Sequence, residues 1–321
     1  MPSTEPISEL ITEIGDDEND VRVQAREELV EIGEKAVKPL ISALESDNLN
    51  RVKNAARVLG ELDSPDAVEP LITLLGASRA SIRNTTSKTL AKMDSLPQVL
   101  EHAKDDDVRL RRSITRLIPE YGDPSTMEIL TESLKDKDPL VRRNAARALG
   151  LLDAPGSVKP LSKALRDGDW RVRQWAAYSL GIISRKTGAT RGLKKALNDE
   201  SRHVRAAAAT ALGDNGIKGA VDRLLVKVRD GDPLLRDAAV SALGYIGSKK
   251  AVEPLMELYP EADERTQASV IYAMARIGGS EEAYSLLEEA IEDPVHVERT
   301  RKALRLLGTQ RAQRLLKAHP D

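Results

Sequence analysis

The chain contains no cysteine and no phenylalanine, and aromatic side chains make up 2% of it. Without cysteine there can be no disulfide, no thiolate metal site and no cysteine nucleophile. A core without Phe must be filled by Ala, Leu, Val and Ile, which suits closely packed helices. No apolar run approaches the ~18 residues of a membrane span. Met1 to Leu10 lacks a basic segment followed by an apolar one, so no secretory leader is expected. There is no glycine-rich phosphate loop and no nucleophile elbow; Gly278-Gly279 reads as the close of a helix. The four histidines, His102, His203, His296 and His319, are never followed by Glu, and no two stand at metal-ligand spacing. The expectation is a soluble, cytoplasmic, monomeric protein with no membrane contact, no metal and no other cofactor.

What the chain does have is charge, unevenly spread. The net value is −2. Residues 1–50 carry 4 basic and 13 acidic side chains, residues 51–250 carry 36 and 25, and residues 251–321 carry 9 and 13. Two acidic ends flank a basic middle.

It also has a repeat. Ten segments align on the anchors Val21, Arg51, Ile82, Leu110, Val141, Val172, Val204, Leu235, Thr266 and His296, spaced 28 to 32 residues apart. Eight positions past each anchor stand Leu29, Leu59, Leu90, Ile118, Leu149, Leu180, Leu212, Leu243, Met274 and Leu304. Apolar residues at the anchor and at four, eight and eleven positions beyond it form one stripe of an α-helix and contradict the alternation of a strand. Start signals agree. Asp107, Asp138, Asp169, Asp232, Asp263 and Asp293 precede their anchors by three residues, as N-caps do. Pro139, Pro233 and Pro294 follow at the expected first helical position. Gly33, Gly247, Gly278 and Gly308, twelve past their anchors, suit a helix end with positive φ.

Each of these B helices is preceded by a second amphipathic segment, such as Ala36-Val-Lys-Pro-Leu40, Ala67-Val-Glu-Pro-Leu71, Ser157-Val-Lys-Pro-Leu161 or Ala251-Val-Glu-Pro-Leu255. A proline recurring at one register reads as a bend built into the A helix. Repeat 4 is short and carries Pro119 where a glycine is usual, so irregular stacking is expected there.

Paired helices, an A-helix proline, an Asp before the B helix and openings such as VRRNAARALG (141–150) and VRAAAATALG (204–213) resemble HEAT repeats. The short, ~31-residue form is similar to the phycobilisome-lyase-like subclass. The resemblance covers nearly the whole chain, with copies 1, 2, 9 and 10 lacking the Asp, the Arg or both. It implies an all-α, α-α superhelix running as one solenoid over residues 1–321, with about ten pairs and capping helices near 6–15 and 309–319. Neighbours bury each other's faces in such a stack, and the B helices line a concave surface.

Arginine one residue past the anchor recurs as Arg22, Arg83, Arg111, Arg142, Arg173, Arg205 and Arg236. A phosphate ladder is one reading. The favoured one is structural, with each Arg held by an inter-repeat acid such as Asp136, Asp167, Asp199 or Asp230. Positions two, three, six and ten past the anchor lie opposite the apolar stripe and should face the concave side. Six past the anchor, four consecutive repeats present Arg57, Lys88, Arg116 and Arg147; two past it stand Lys53, Asn84, Arg112 and Arg143, with Lys92 ten past. Trp175 and Tyr178, one turn apart, stand where this basic stripe ends, and Trp170 lies at the start of the same helix.

The solvated-face reading of such charge is weighed against its confinement to one register between acidic flanks, which would focus an anionic partner on the middle. The expectation is a non-catalytic scaffold binding an acidic protein segment through Lys53, Arg57, Lys88, Arg112, Arg116, Arg143 and Arg147, with Trp175 and Tyr178 as aromatic anchors. The alternative is nucleic acid, with phosphates neutralised and a base stacked, as the resemblance to AlkD-type DNA glycosylases implies. A weaker alternative is a lyase attaching a prosthetic group, as in the bilin lyases of the same repeat class. Deoxyhypusine hydroxylase shares the repeats but needs His-Glu motifs that this chain lacks. No motif marks a catalytic carboxylate, and neither Asp214 nor Asp237 is distinguished as one.

Overall fold

The computed structural model describes residues 5–153, 155–187 and 190–320. These residues form twenty-one α-helices and short 3-10 turns, with no strand among them. The chain divides into two compact units, Met1–Ala148 and Leu149–Asp321. The first holds α1 (Glu5–Glu13), α2 (Asn19–Ile32), α3 (Glu34–Ala43), α4 (Leu49–Glu61), α5 (Val68–Leu74), α6 (Ala80–Leu90), α7 (Leu96–Glu101), α8 (Val108–Leu117), α9 (Met127–Ser133) and most of α10 (Pro139–Leu151). The second holds α11 (Val158–Ala164), α12 (Trp170–Thr187), α13 (Arg191–Ala196), α14 (Arg202–Asp214), α15 (Val221–Lys227), α16 (Pro233–Ile246), α17 (Val252–Leu258), α18 (Glu264–Ile277), α19 (Glu281–Glu292), α20 (Val297–Leu307) and α21 (Gln310–Ala318). Even-numbered helices to α20 are the ten B helices. The leading helix is thus not an additional cap but the A helix of the first pair, whereas α21 is a true trailing helix.

Local chemistry sets the boundaries. Asp107, Asp232 and Asp263 cap α8, α16 and α18, their carboxylates accepting the backbone N–H of Arg109, Leu234 and Thr266 at 2.8 to 3.0 Å. Asp138 accepts from Leu140 and Val141 and does the same for α10. Pro294 departs from expectation: α20 begins at Val297, after a turn in which the N–H groups of His296 and Val297 both reach the Asp293 carbonyl. Gly33, Gly247, Gly278 and Gly308 all have φ between 61° and 70° where their helices stop.

The A-helix proline acts differently from a kink. In repeats 3, 6 and 9 a three-residue 3-10 turn leads into a seven-residue α-helix, and Pro70, Pro160 and Pro254 are the third residue of that helix. The third N–H of an α-helix has no intrahelical acceptor, so proline forfeits nothing there. The bend is a change of helix type. Pro39, inside α3, is the exception.

All ten side chains eight past the anchor have zero exposed surface. A second ladder lies one residue on. Gly150, Gly181, Gly213 and Gly244 back onto the next B helix so closely that an added Cβ would stand 2.3 to 2.7 Å from atoms of Ser179, Ala211, Ala242 and Ala273. Gly60 meets the Thr89 methyl in the same way. Repeats 3 and 4 break the series with Ala91 and Pro119. Pro119 has no N–H for an α-helical bond, so α8 stops at Leu117, tightens into a 3-10 turn over Ile118–Tyr121 and ends on Gly122 at φ 64°. The bulkier residues keep α6 and α8 from the close contact seen between α14 and α16.

Candidate functional site

The arginine one past the anchor is a fold residue wherever its bonds are seen. Arg22, Arg83, Arg111, Arg142, Arg173 and Arg205 each donate Nη1 to two consecutive carbonyls five and six residues back, at 2.6 to 3.3 Å. Those carbonyls lie in the turn after the A helix, where the backbone has no partner of its own. Arg111, Arg173 and Arg205 then reach forward to Asp136, Asp199 and Asp232 of the following repeat at 2.8, 2.9 and 3.2 Å. The structural reading fits these positions, because one arm of each guanidinium is committed to the turn of its own repeat.

Positions two and three past the anchor also depart from expectation. Arg112 grips Asp138 with both arms, at 2.9 and 2.5 Å, and its charge is spent inside the fold. Arg143 is bonded to the Asn144 side chain at 2.9 Å. Asn54 and Asn144, three past their anchors, are buried between repeats, donating to the carbonyls of Ile14 and Arg112 at 2.8 and 2.9 Å.

The Arg112 bond also holds the Asp138 carboxyl down to about 2, with the N–H groups of Val141 and Leu140 adding to it against the cost of burial. A carboxylate lowered from 3.8 to about 2 contributes about 2 kcal/mol, present above pH 4 and lost as pH falls through 2. Asp138→Asn keeps a capping oxygen but removes the charge. It should be about 2 kcal/mol less stable at pH 7, with the gap to the native chain closing near pH 2 in urea titrations. A gap unchanged by acid would show that the ion pair is not its source.

The positions six past the anchor behave otherwise. Arg57 of α4, Lys88 of α6, Arg116 of α8 and Arg147 of α10 line one cavity of about 760 Å³, joined by Lys92. Glu61 and Glu120 are its acids, and Asn84, Thr85 and Ser87 add neutral polar groups. The cavity sits where Ala91 and Pro119 interrupt the glycine ladder. Among the described residues Arg116 makes no hydrogen bond or ion pair, and burial, followed by the like charges of Arg83 and Arg147, lowers its pKa. Arg57 donates to Asn54 Oδ1 at 3.0 Å. Lys53 lines a smaller recess of about 100 Å³ with Arg22, Arg26 and Arg57.

Trp175 and Tyr178 belong to the second unit, and neither lines these recesses. Trp175 is half-buried rather than exposed, and the two rings meet at 5.8 Å and 60°. Trp170 is the more open ring, stacked on His203 at 4.8 Å. Asp237 is buried against Thr266 Oγ1 at 2.8 Å and Arg265 at 2.9 Å, a structural carboxylate. No cluster of three metal-ligating side chains occurs among the described residues, and no described helix is long and apolar enough to cross a membrane.

A profile of HEAT repeats matches residues 7–91, 93–181, 158–225, 190–268 and 221–308. No curated protein sequence matches the chain. Among solved structures it is similar to Kap95p in a complex with RanGDP (13% identity, 95% of this chain and 50% of that one, TM-score 0.65) and to Escherichia coli YibA (18%, 83% and 98%, 0.56). The CpcE–CpcF phycocyanin lyase of Nostoc is similar at 21% identity over 78% of this chain and 92% of that one, with a TM-score of 0.39 that carries nothing about activity. Identities this low speak to fold alone. With the capped B helices, the arginine and glycine ladders and the profile match over nearly all its length, the chain belongs to the HEAT-repeat family.

Proposed function

We propose that this chain is a cytoplasmic, monomeric, non-catalytic scaffold that holds an anionic segment of another protein on the cationic row of α4, α6, α8 and α10. One observation carries this reading: Arg116 is half-buried at a cavity wall with no acceptor among the described residues, and Arg57, Lys88 and Arg147 border the same space. A guanidinium withdrawn from water without an acceptor is costly, and an anion entering the cavity supplies what it lacks. Lys53 extends the row along α4, while Arg112 and Arg143 are tied to Asp138 and Asn144. Trp175 and Tyr178 offer the second unit an aromatic anchor for apolar side chains of a partner. Kap95p, similar in fold, binds the protein RanGDP, which supports a protein rather than a small metabolite as partner.

The test is capture of polypeptides from native lysate, with and without nuclease, by the immobilised chain and by Arg116→Glu/Lys88→Glu. Polypeptides retained by the native chain should be lost by the variant, with helicity and melting unchanged. Capture that is identical in both proteins overturns the reading. Capture that disappears on nuclease treatment transfers it to nucleic acid.

A further inference from the structure

Three donors that border the cavity of α4, α6 and α8 lack acceptors among the described residues. Besides Arg116, the Ser87 hydroxyl is buried without a partner, and the Lys88 ammonium makes no ion pair among the described residues. A carboxylate offers two oxygens; a phosphate monoester offers three and a charge near −2 on one atom cluster. The acids of the cavity matter equally. Glu61 and Glu120 stand one helical turn beyond Arg57 and Arg116 and line the same space. They repel a ligand whose negative charge is spread along its length, such as a run of Asp and Glu or a nucleic-acid backbone. A ligand with its charge gathered at Lys88 and Arg116 escapes that repulsion, and flanking basic side chains would gain from the two glutamates. A space of about 760 Å³ also exceeds what one carboxylate side chain fills.

We infer that the cavity recognises a phosphorylated side chain, a phosphoserine or phosphothreonine, with basic residues flanking it in the partner. This rests on the proposed function and narrows it from anionic segments in general to phosphorylated ones.

The experiment uses the full chain and three degenerate peptide libraries that differ only at the centre, phosphoserine, glutamate or serine, with an oligothymidylate as a fourth probe. Phosphoserine peptides should be retained ~10-fold or more over the glutamate set, and sequencing of the retained pool should show Lys or Arg beside the phosphate. Arg116→Gln and Lys88→Gln should each erase the preference. Both remove a charge without an internal partner, so their melting should match the native chain. Inorganic phosphate should displace the bound peptides at lower concentration than acetate does. Equal retention of phosphoserine and glutamate peptides overturns this inference and leaves the anionic-segment reading standing. Failure of both libraries overturns both, as does preferential retention of the oligothymidylate.

Discussion

Gly213→Val is expected to destabilise the protein by about 3 kcal/mol, the upper end of what overpacking costs. An added Cβ would stand 2.5 Å from the Ala242 Cα and 2.7 Å from its Cβ, so the obstacle is backbone rather than a movable side chain. Accommodating valine means prising α14 from α16, and both helices are buried along this seam. Gly213→Ala should also destabilise, by about 1 kcal/mol, even though alanine is the better helix former by about as much. Gly168→Ala, with nothing within 4 Å of the added carbon, is the control and should be neutral. Urea midpoints with unchanged slopes would check the series. A Gly213→Val protein as stable as the native one would mean that the helices are not in that contact.

Arg173→Ala should cost about 3–5 kcal/mol, the range for breaking a buried ion pair by removing one partner. Arg173 has little exposed surface, and its guanidinium holds the carbonyls of Asp167 and Gly168, both oxygens of Asp199, and Glu200. The hydrogen bond to Asp199 is the main reason its pKa is raised, with burial opposing it. Alanine strands two carbonyls and a carboxylate at once. Arg173→Lys keeps the charge but not the fork, so it should recover about half of the loss. Thermal melting of the three proteins distinguishes these values. A lysine variant matching the native chain would show that charge alone, not the forked geometry, secures the seam.

Much of this was legible in the residues. The leucines eight past the anchor are buried because a 3.6-residue period places them on one line, whatever neighbour arrives to cover them. Asp107, Asp232 and Gly247 mark helix ends because capping is local chemistry. The structural reading of Arg111, Arg173 and Arg205 could be reached because each has an acid one repeat later. The misreadings lie where a neighbour decides. Arg112 and Arg116 are one turn apart on α8 and look alike in the sequence. Asp138 comes within reach of the first, and no acceptor among the described residues does of the second. Asn54 and Asn144 looked exposed on a helical wheel, but adjoining helices close over them. Five of the ten repeats carry a glycine nine past the anchor, yet its role as a contact surface appears when the distance to the next helix is known.

Periodicity, caps and positive-φ glycines, all properties of a chain and its immediate neighbours, were enough to specify the paired helices and the faces they bury. The tertiary structure decided which cations kept their charge available. That depends on position: an aspartate one repeat away, an alanine and a proline in place of two glycines, and the gap they leave between α6 and α8. Contacts between residues some thirty positions apart follow from how helices seat on one another, and no local pattern encodes that seating.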